Sequence, residues 1–143
     1  MATGLENLKI YTMAEELELL CHDLTKAFPA DEKYRSVDQI RRSSCSVTNN
    51  IAEGYNRFSL KEKSRYLIIA KGEAEETKRN IIRSSKKGFL AEIVADEISE
   101  KYTELLKAIS GYKKFVETAP LGLSNLSTNK VGLSNLSTNK LGN

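Results

Sequence analysis

The sequence is poor in the residues that characterise disulfide-stabilised, secreted or membrane proteins. Its 143 residues include two cysteines, two prolines and no tryptophan. Cys21 and Cys45 are too few for a disulfide framework, so we expect a reducing cytoplasm as the compartment. No run approaches the roughly 20 apolar residues of a membrane-spanning helix, and the acidic residues among the first 24 positions do not fit a signal peptide. We therefore expect a cytoplasmic protein that makes no membrane contact.

The residues that usually carry catalysis or bind metals are also scarce. His22 is the only histidine, and a surface position beside Glu18 and Lys26 explains it without a catalytic role. A metal site would have to recruit Cys21, His22 and Cys45, but adjacent residues point about 100° apart on a helix. The sequence contains neither a phosphate-binding glycine loop nor a nucleophile elbow. It therefore predicts a protein that is not an enzyme and that uses no cofactor or metal.

What the sequence does contain is a repeated helical pattern. Apolar residues recur three or four positions apart in four segments, at about 5–27, 36–56, 59–87 and 96–118, as is typical of helices with one buried face. Short connections between long amphipathic helices favour an all-α fold, an antiparallel up-down-up-down four-helix bundle. We assign this bundle to residues 1–118.

Local signals predict where the helices end and which side chains are buried. Pro29 ends the first helix, Ser59 and Glu62 form a capping box before the third, Gly88 ends the third, and Asp96 is a favourable N-cap for the fourth. The predicted buried residues are Leu17, Leu20, Cys21, Leu24 and Phe28 in the first helix, Val37, Ile40, Ser44, Val47, Ile51 and Tyr55 in the second, and Ile98, Tyr102, Leu105, Leu106, Ile109, Tyr112 and Val116 in the fourth.

The C-terminal residues 119–143 differ from the rest in composition. Residues 122–130 recur unchanged as residues 132–140, with a period of ten. Two copies are too few to stack as a solenoid, and the Ser, Thr, Asn and Gly content favours a disordered, low-complexity tail. A duplication of coding DNA without a function is the simplest explanation of the repeat.

The net charge of +3 conceals an uneven distribution. Residues 33–87 carry fourteen basic and six acidic residues, a net +8, whereas residues 1–32 carry −5 and residues 88–118 carry −2. The second and third helices therefore form a basic hairpin, and the first and fourth helices are acidic. Attraction between neighbouring helices, or a solvated charged face, would explain this pattern without a ligand.

Part of the basic hairpin is not explained in that way. Lys61, Lys63 and Arg65 lie in the first two turns of the third helix, where the helix dipole disfavours cations. Binding to the phosphates of RNA or DNA would account for them, and the absence of a base-reading motif predicts binding without sequence selectivity. The candidate phosphate-binding residues are Arg41, Arg42, Arg57, Lys61, Lys63, Arg65, Arg79, Arg83, Lys86 and Lys87.

Several motifs resemble one known family. The signature residues Asn50, Ile51, Ala52, Glu53 and Gly54 are similar to those of the four-helix-bundle proteins encoded in intervening sequences of bacterial 23S rRNA genes. Further similar segments surround this signature, and the resemblance covers about residues 5–118. These segments are Phe28-Pro29, Gln39-Ile40-Arg41-Arg42, Arg57-Phe58-Ser59 and Ile69-Ala70-Lys71-Gly72 followed by Glu75 and Thr77.

The resemblance implies a function as well as a fold. The same family includes the accessory variability determinant of diversity-generating retroelements, which resembles a pentameric barrel that binds nucleic acid and a reverse transcriptase. The resemblance therefore implies a homopentamer without catalytic residues and with a basic surface for RNA or DNA. The alternative is a protein-interaction adaptor whose basic face docks an acidic partner such as a reverse transcriptase.

Two further expectations concern single residues of the motifs. Glu53 is placed to pair with Arg57 one helical turn later. Gly72 lies inside the third helix, where glycine costs about 1 kcal/mol relative to alanine. Such a glycine indicates a close backbone approach, either between helices or between subunits, unless it is merely tolerated.

Overall fold

The computed structural model describes residues 4–119, and these residues are almost entirely helical. Their α-helices are α1 (Lys9–Thr25), α2 (Ser36–Asn56), α3 (Leu60–Lys86) and α4 (Glu92–Thr118). Two short 3-10 helices, Leu5–Asn7 and Ala30–Glu32, precede α1 and α2, and residues 4–119 contain no strand. The predicted all-α fold is confirmed. The predicted tail, apart from Ala119, lies outside the described residues.

The four helices form the predicted antiparallel bundle. Each helix packs against the one before it, and α4 packs back against α1. Helices α2 and α3 therefore lie side by side on one half of the bundle, with α1 and α4 on the other half. We call the exposed side of α2 and α3 the basic face and the exposed side of α1 and α4 the acidic face.

The predicted core is correct for α2 and nearly so for α4. All six apolar or small positions predicted for α2 are buried, and so are six of the seven predicted for α4. The exception is Leu106, which is partly buried and packs against the core. Because these helices have one regular set of positions spaced by three and four, their buried sides can be found from the sequence alone.

The predicted core of α1 needs correction. Leu20 is 38% exposed and Leu24 only partly buried, whereas Ile10, Ala14 and Thr25 are buried. The buried side of α1 is therefore rotated away from Leu20. Thr25 can be buried because its hydroxyl donates to the backbone oxygens of Cys21 and His22, each at 2.9 Å.

The ends of α1 and α4 also differ from the prediction. The chain is extended at Leu8 and helical again only from Lys9, and α1 ends at Thr25, four residues before Pro29. Helix α4 begins at Glu92 instead of near Asp96, after Ala91, which makes no side-chain capping bond. The start of α4 is thus set by the backbone of the preceding turn, which a search for capping side chains does not detect.

The turn between α3 and α4 explains this early start. Gly88 has a φ of +85°, and Phe89 N donates to Ser84 O at 2.9 Å. This is the Schellman arrangement that glycine permits, so the predicted end of α3 at Gly88 is confirmed. The ring of Phe89 packs 5.5 Å from that of Phe28, which brings the chain back onto the bundle within a few residues.

Polar side chains also pair inside the core. Ser43 of α2 and Thr77 of α3 share a hydrogen bond of 2.6 Å between their hydroxyls. Cys21 of α1 lies 3.8 Å from the hydroxyl of Tyr102 of α4, and burial raises the pKa of the Cys21 thiol to about 11. These pairs satisfy buried polar atoms across two helix interfaces.

None of the helices in residues 4–119 is both long and apolar enough to cross a bilayer.

Candidate nucleic-acid interface

The ion pairs of the described residues stay within their own half of the bundle. Helix α1 and its C-terminal cap contain one pair and α4 another, and three lie within α2 or at its corner with α3. No pair joins a cation of α2 or α3 to a carboxylate of α1 or α4 anywhere in residues 4–119. Direct ion pairs within residues 4–119 therefore do not link the acidic face to the basic face. The pairs are Lys26–Asp23, Arg42–Asp38, Arg57–Glu53, Arg57–Glu62 and Lys113–Glu117.

Lys63 is not part of the exposed basic face. Its side chain is buried, and its ammonium donates to Tyr55 O at 2.9 Å and to Gly54 O at 3.4 Å. These carbonyls lie in the last turn of α2, where Gly54 O also accepts from Arg57 N at 3.3 Å, and the helix dipole favours a cation at this end. Burial lowers the pKa of Lys63. The structure thus removes Lys63 from the predicted phosphate-binding set and gives it a capping role.

Arg57 is held at the corner between α2 and α3. Its Nη2 donates to Glu53 Oε1 at 2.6 Å and to the Tyr66 hydroxyl at 3.3 Å, and its Nε lies 3.8 Å from Glu62 Oε1. The hydrogen bond that Arg57 donates to Glu53 is the main reason why the pKa of Arg57 is raised. The predicted Glu53–Arg57 pair is confirmed, and it engages Arg57 within the corner.

Two other cations at this corner are exposed and have no carboxylate partner among the described residues. Lys61 lies in the first turn of α3, and Arg65 lies one turn further on. The guanidinium of Arg65 is 5.0 Å from the centre of the Tyr66 ring, and that of Arg57 is 5.1 Å from it. Tyr66 thereby positions both arginines through cation–π contacts.

The second exposed group lies near the C-terminal end of α3. Arg79, Lys86 and Lys87 are exposed and form no ion pair within residues 4–119. Arg83 is exposed and donates to the side-chain oxygen of Asn80. Arg65 and Arg79 are fourteen residues apart, or about 21 Å along the helix. The candidate cations of α3 that are exposed therefore form two separate groups, and the half-buried Lys71, which is not a candidate, lies between them.

The two candidate arginines in the first half of α2 have different surroundings. Arg41 is half-buried, and it donates to Thr25 Oγ1 at 2.9 Å and to His22 O at 3.1 Å. It therefore ties α2 to the end of α1. Arg42 is exposed and pairs with Asp38 at 3.1 Å. Neither is as available to an anion as the exposed cations of α3.

The signature residues form the crossing of α2 and α3. A Cβ atom on Gly54 would lie 3.2 Å from Tyr66 Cβ and 3.3 Å from Lys63 O. Ile51 is buried, and the Asn50 side chain donates to Ser46 O at 2.8 Å. These contacts give the signature a role in packing, which the sequence pattern did not reveal.

Gly72 does not mark a close approach between helices of this chain. It is exposed, and apart from the adjoining backbone of α3 no heavy atom of residues 4–119 lies within 4 Å of the position its Cβ would occupy. Ile68, one turn earlier, is 57% exposed. Of the interpretations offered by the sequence, a contact between subunits and a tolerated glycine remain.

Within residues 4–119, no group of three or more His, Cys, Asp or Glu side chains is arranged to hold a metal ion. A groove between α2 and α3 has a volume of about 430 Å³ and is lined mainly by polar and charged side chains, among them Arg42, Asn49, Glu73 and Glu76.

Comparison with known proteins identifies a family. A sequence model described as 23S rRNA-intervening sequence protein matches residues 6–111, which include all four helices up to the last two turns of α4 and the signature residues of α2. No curated protein matches the chain significantly.

Proposed function

Because the chain belongs to the 23S rRNA-intervening sequence protein family, we propose that it is a non-enzymatic, oligomeric four-helix bundle that binds the backbone of RNA or DNA. The observation that carries the proposal is the absence, within residues 4–119, of ion pairs between the acidic and basic faces. Cations that are not neutralised by their own protein can neutralise phosphates and release counterions.

The exposed cations of α3 are the expected phosphate contacts. Lys61, Arg65, Arg79 and Lys86 are exposed and are not engaged by carboxylates of the described residues. Phosphate contacts of this kind position a nucleic acid without reading its bases. Binding should therefore depend little on sequence and strongly on salt.

A charge-reversal experiment tests this proposal. The variant carries Lys61→Glu and Arg65→Glu on the basic face, and the control carries Lys101→Glu and Lys107→Glu on α4, with the same change of net charge. Affinity for a labelled RNA, measured by fluorescence anisotropy, should fall about tenfold or more in the variant and remain nearly unchanged in the control. Equal losses in both proteins, or no loss in either, would contradict a binding site on the basic face.

The proposed self-association rests on the middle of α3. Ile68 and Gly72 lie between the two cationic groups, one turn apart and exposed. A glycine that costs helix stability, and that no other helix of the described residues approaches, fits a place where a second subunit packs closely. We propose that copies of the chain meet here, in a homopentamer as the family resemblance implies.

Light scattering on a size-exclusion column tests the association. The wild-type chain, of 16.0 kDa, should elute as an assembly of about five times that mass. The substitution Gly72→Leu should lower the mass without unfolding the chain, because within residues 4–119 its Cβ meets no atom outside the adjoining backbone of α3 within 4 Å. A wild-type monomer would refute self-association, and an unchanged assembly of the variant would exclude Gly72 from the interface.

The alternative function uses the same exposed cations. Lys61 and Arg65 could equally accept the carboxylates of an acidic protein, such as a reverse transcriptase. Capture of such a partner that survives nuclease treatment, together with no measurable RNA binding, would favour the adaptor over nucleic-acid binding.

A further inference from the structure

Phe58 is the most exposed of the large hydrophobic side chains in the described residues, with 96% of its surface accessible. It lies in the corner between α2 and α3, after Arg57 and before Ser59. The roles of these two neighbours are clear, since Arg57 pairs with Glu53 and Ser59 caps α3 through the backbone N–H of Glu62 at 3.2 Å. Neither role requires an aromatic ring at position 58.

Two cations without a carboxylate partner among residues 4–119 follow Phe58. Lys61 comes three residues later, in the first turn of α3, and Arg65 seven residues later. The carboxylates of the corner, Glu53 and Glu62, pair with Arg57 instead, and the guanidinium of Arg65 is positioned over Tyr66. The exposed ring therefore precedes two cations that the corner itself does not pair.

We propose that Phe58 stacks on an unpaired base of a single-stranded nucleic acid while Lys61 and Arg65 contact its phosphates. This inference rests on the proposed function and deepens it by naming the form of nucleic acid. Every base presents a π-face to an aromatic side chain, so stacking tolerates any sequence. A base inside a duplex is already stacked on both sides, so the ring adds affinity for single strands only.

A protein partner fits this site less well than a nucleic acid. The exposed residues next to Phe58 in the chain, Asn56, Ser59 and Lys61, are polar or charged, and the neighbouring Leu60 is half-buried. A single ring supplies a small part of the roughly 800 Å² per partner that a stable protein interface buries. The charge at the corner is complementary to phosphates.

The experiment compares two variants on two RNA forms. Phe58→Leu keeps an apolar side chain but removes the ring, and the control Ile93→Ala shortens an apolar side chain that is 76% exposed in the first turn of α4. The probes are a labelled RNA of about 12 nucleotides without self-complementarity and the duplex it forms with its complement. Both variants change exposed side chains, and circular dichroism checks that they remain folded.

The expected result is specific to one variant and one form. Phe58→Leu should weaken binding of the single strand about tenfold and change duplex binding by less than about twofold, while Ile93→Ala should change neither. Equal affinity of wild type and Phe58→Leu for the single strand, or equal losses for both RNA forms, would overturn the stacking role while leaving the proposed function intact. If Phe58→Leu lowers the mass of the oligomer and leaves the RNA affinity unchanged, the stacking role is overturned. Phe58 would then contact a second copy of the chain instead of a base. Wild-type protein that binds neither form would instead refute the proposed function itself.

Discussion

Gly54 is the residue on which the close crossing of α2 and α3 depends. An added Cβ would meet Tyr66 Cβ at 3.2 Å and the backbone oxygen of Lys63 at 3.3 Å, and neither atom can move without moving α3. We expect Gly54→Ala to lower the free energy of unfolding by about 1–2 kcal/mol, measured by urea denaturation. Helix propensity alone predicts the opposite sign, a gain of up to about 1 kcal/mol, so a stabilised variant would contradict the crossing.

Glu32 gives the protein a predictable response to acid. Its carboxylate accepts a hydrogen bond from the Ser36 hydroxyl at 2.6 Å and one from Ser36 N at 3.3 Å. The hydroxyl is the main reason why the pKa of Glu32 lies below its ordinary value of 4.5. The unfolded chain therefore binds more protons near that pH, and the stability that Glu32 contributes is lost as the pH falls from about 4.5 through the lower, folded-state pKa.

The substitution Glu32→Gln tests this response. At neutral pH the variant should have a lower urea midpoint than the wild type, because it lacks the ionised carboxylate. The difference should narrow as the pH falls below 4.5, where the wild-type group also becomes neutral. A difference that is constant from neutral to acid pH would show that the carboxylate is not responsible.

Lys63 shows why single residues of the candidate site were harder to predict than the helices. The dipole of α3 disfavours a cation in its first turns, so the position of Lys63 predicted an exposed side chain that contacts phosphates. The dipole of the preceding helix α2 did not enter that prediction. The carbonyls that Lys63 caps, Gly54 O and Tyr55 O, belong to the preceding helix and come within reach only once the corner forms. The spacing of Lys63 with the buried residues Leu67 and Ala70 was the available signal of its burial.

At the scale of helices, the buried Ser43–Thr77 hydrogen bond of 2.6 Å helps to fix the position of α2 along the axis of α3. Removing one of the two hydroxyls takes away the hydrogen bond that the other hydroxyl makes across the helix interface. We expect Ser43→Ala and Thr77→Val each to lower the free energy of unfolding by about 1 kcal/mol, and the double variant to lose less than the sum. Additive losses in urea denaturation would show that the two hydroxyls do not act together.

The ends of the helices were predictable where a side chain or a glycine sets them. The bounds of α2 match the prediction at Ser36–Asn56, and α3 begins after the predicted cap Ser59 and ends before Gly88. The start of α4 could not be predicted in this way because Ala91 caps it through its extended backbone alone. Asp96, the residue with the expected capping chemistry, lies inside the helix.

At the scale of the whole molecule, the sequence predicted a basic half and an acidic half, and the arrangement of the helices confirms this division. The net charges of residues 33–87 and of the flanking segments follow from composition. Whether the halves neutralise each other depends on distances between side chains, which composition does not contain. The structure supplies those distances for residues 4–119, and it places the ion pairs within each half.

The most direct test of the unneutralised basic face is the salt dependence of RNA binding. Four contacts from Lys61, Arg65, Arg79 and Lys86 to a single strand predict that the logarithm of the association constant falls with the logarithm of salt concentration with a slope of about −3. The variant with Lys61→Glu and Arg65→Glu should have a slope shallower by at least about 1. An association constant that does not change between about 50 and 200 mM salt, or a slope equal in variant and wild type, would contradict the claim that these cations are available to phosphates.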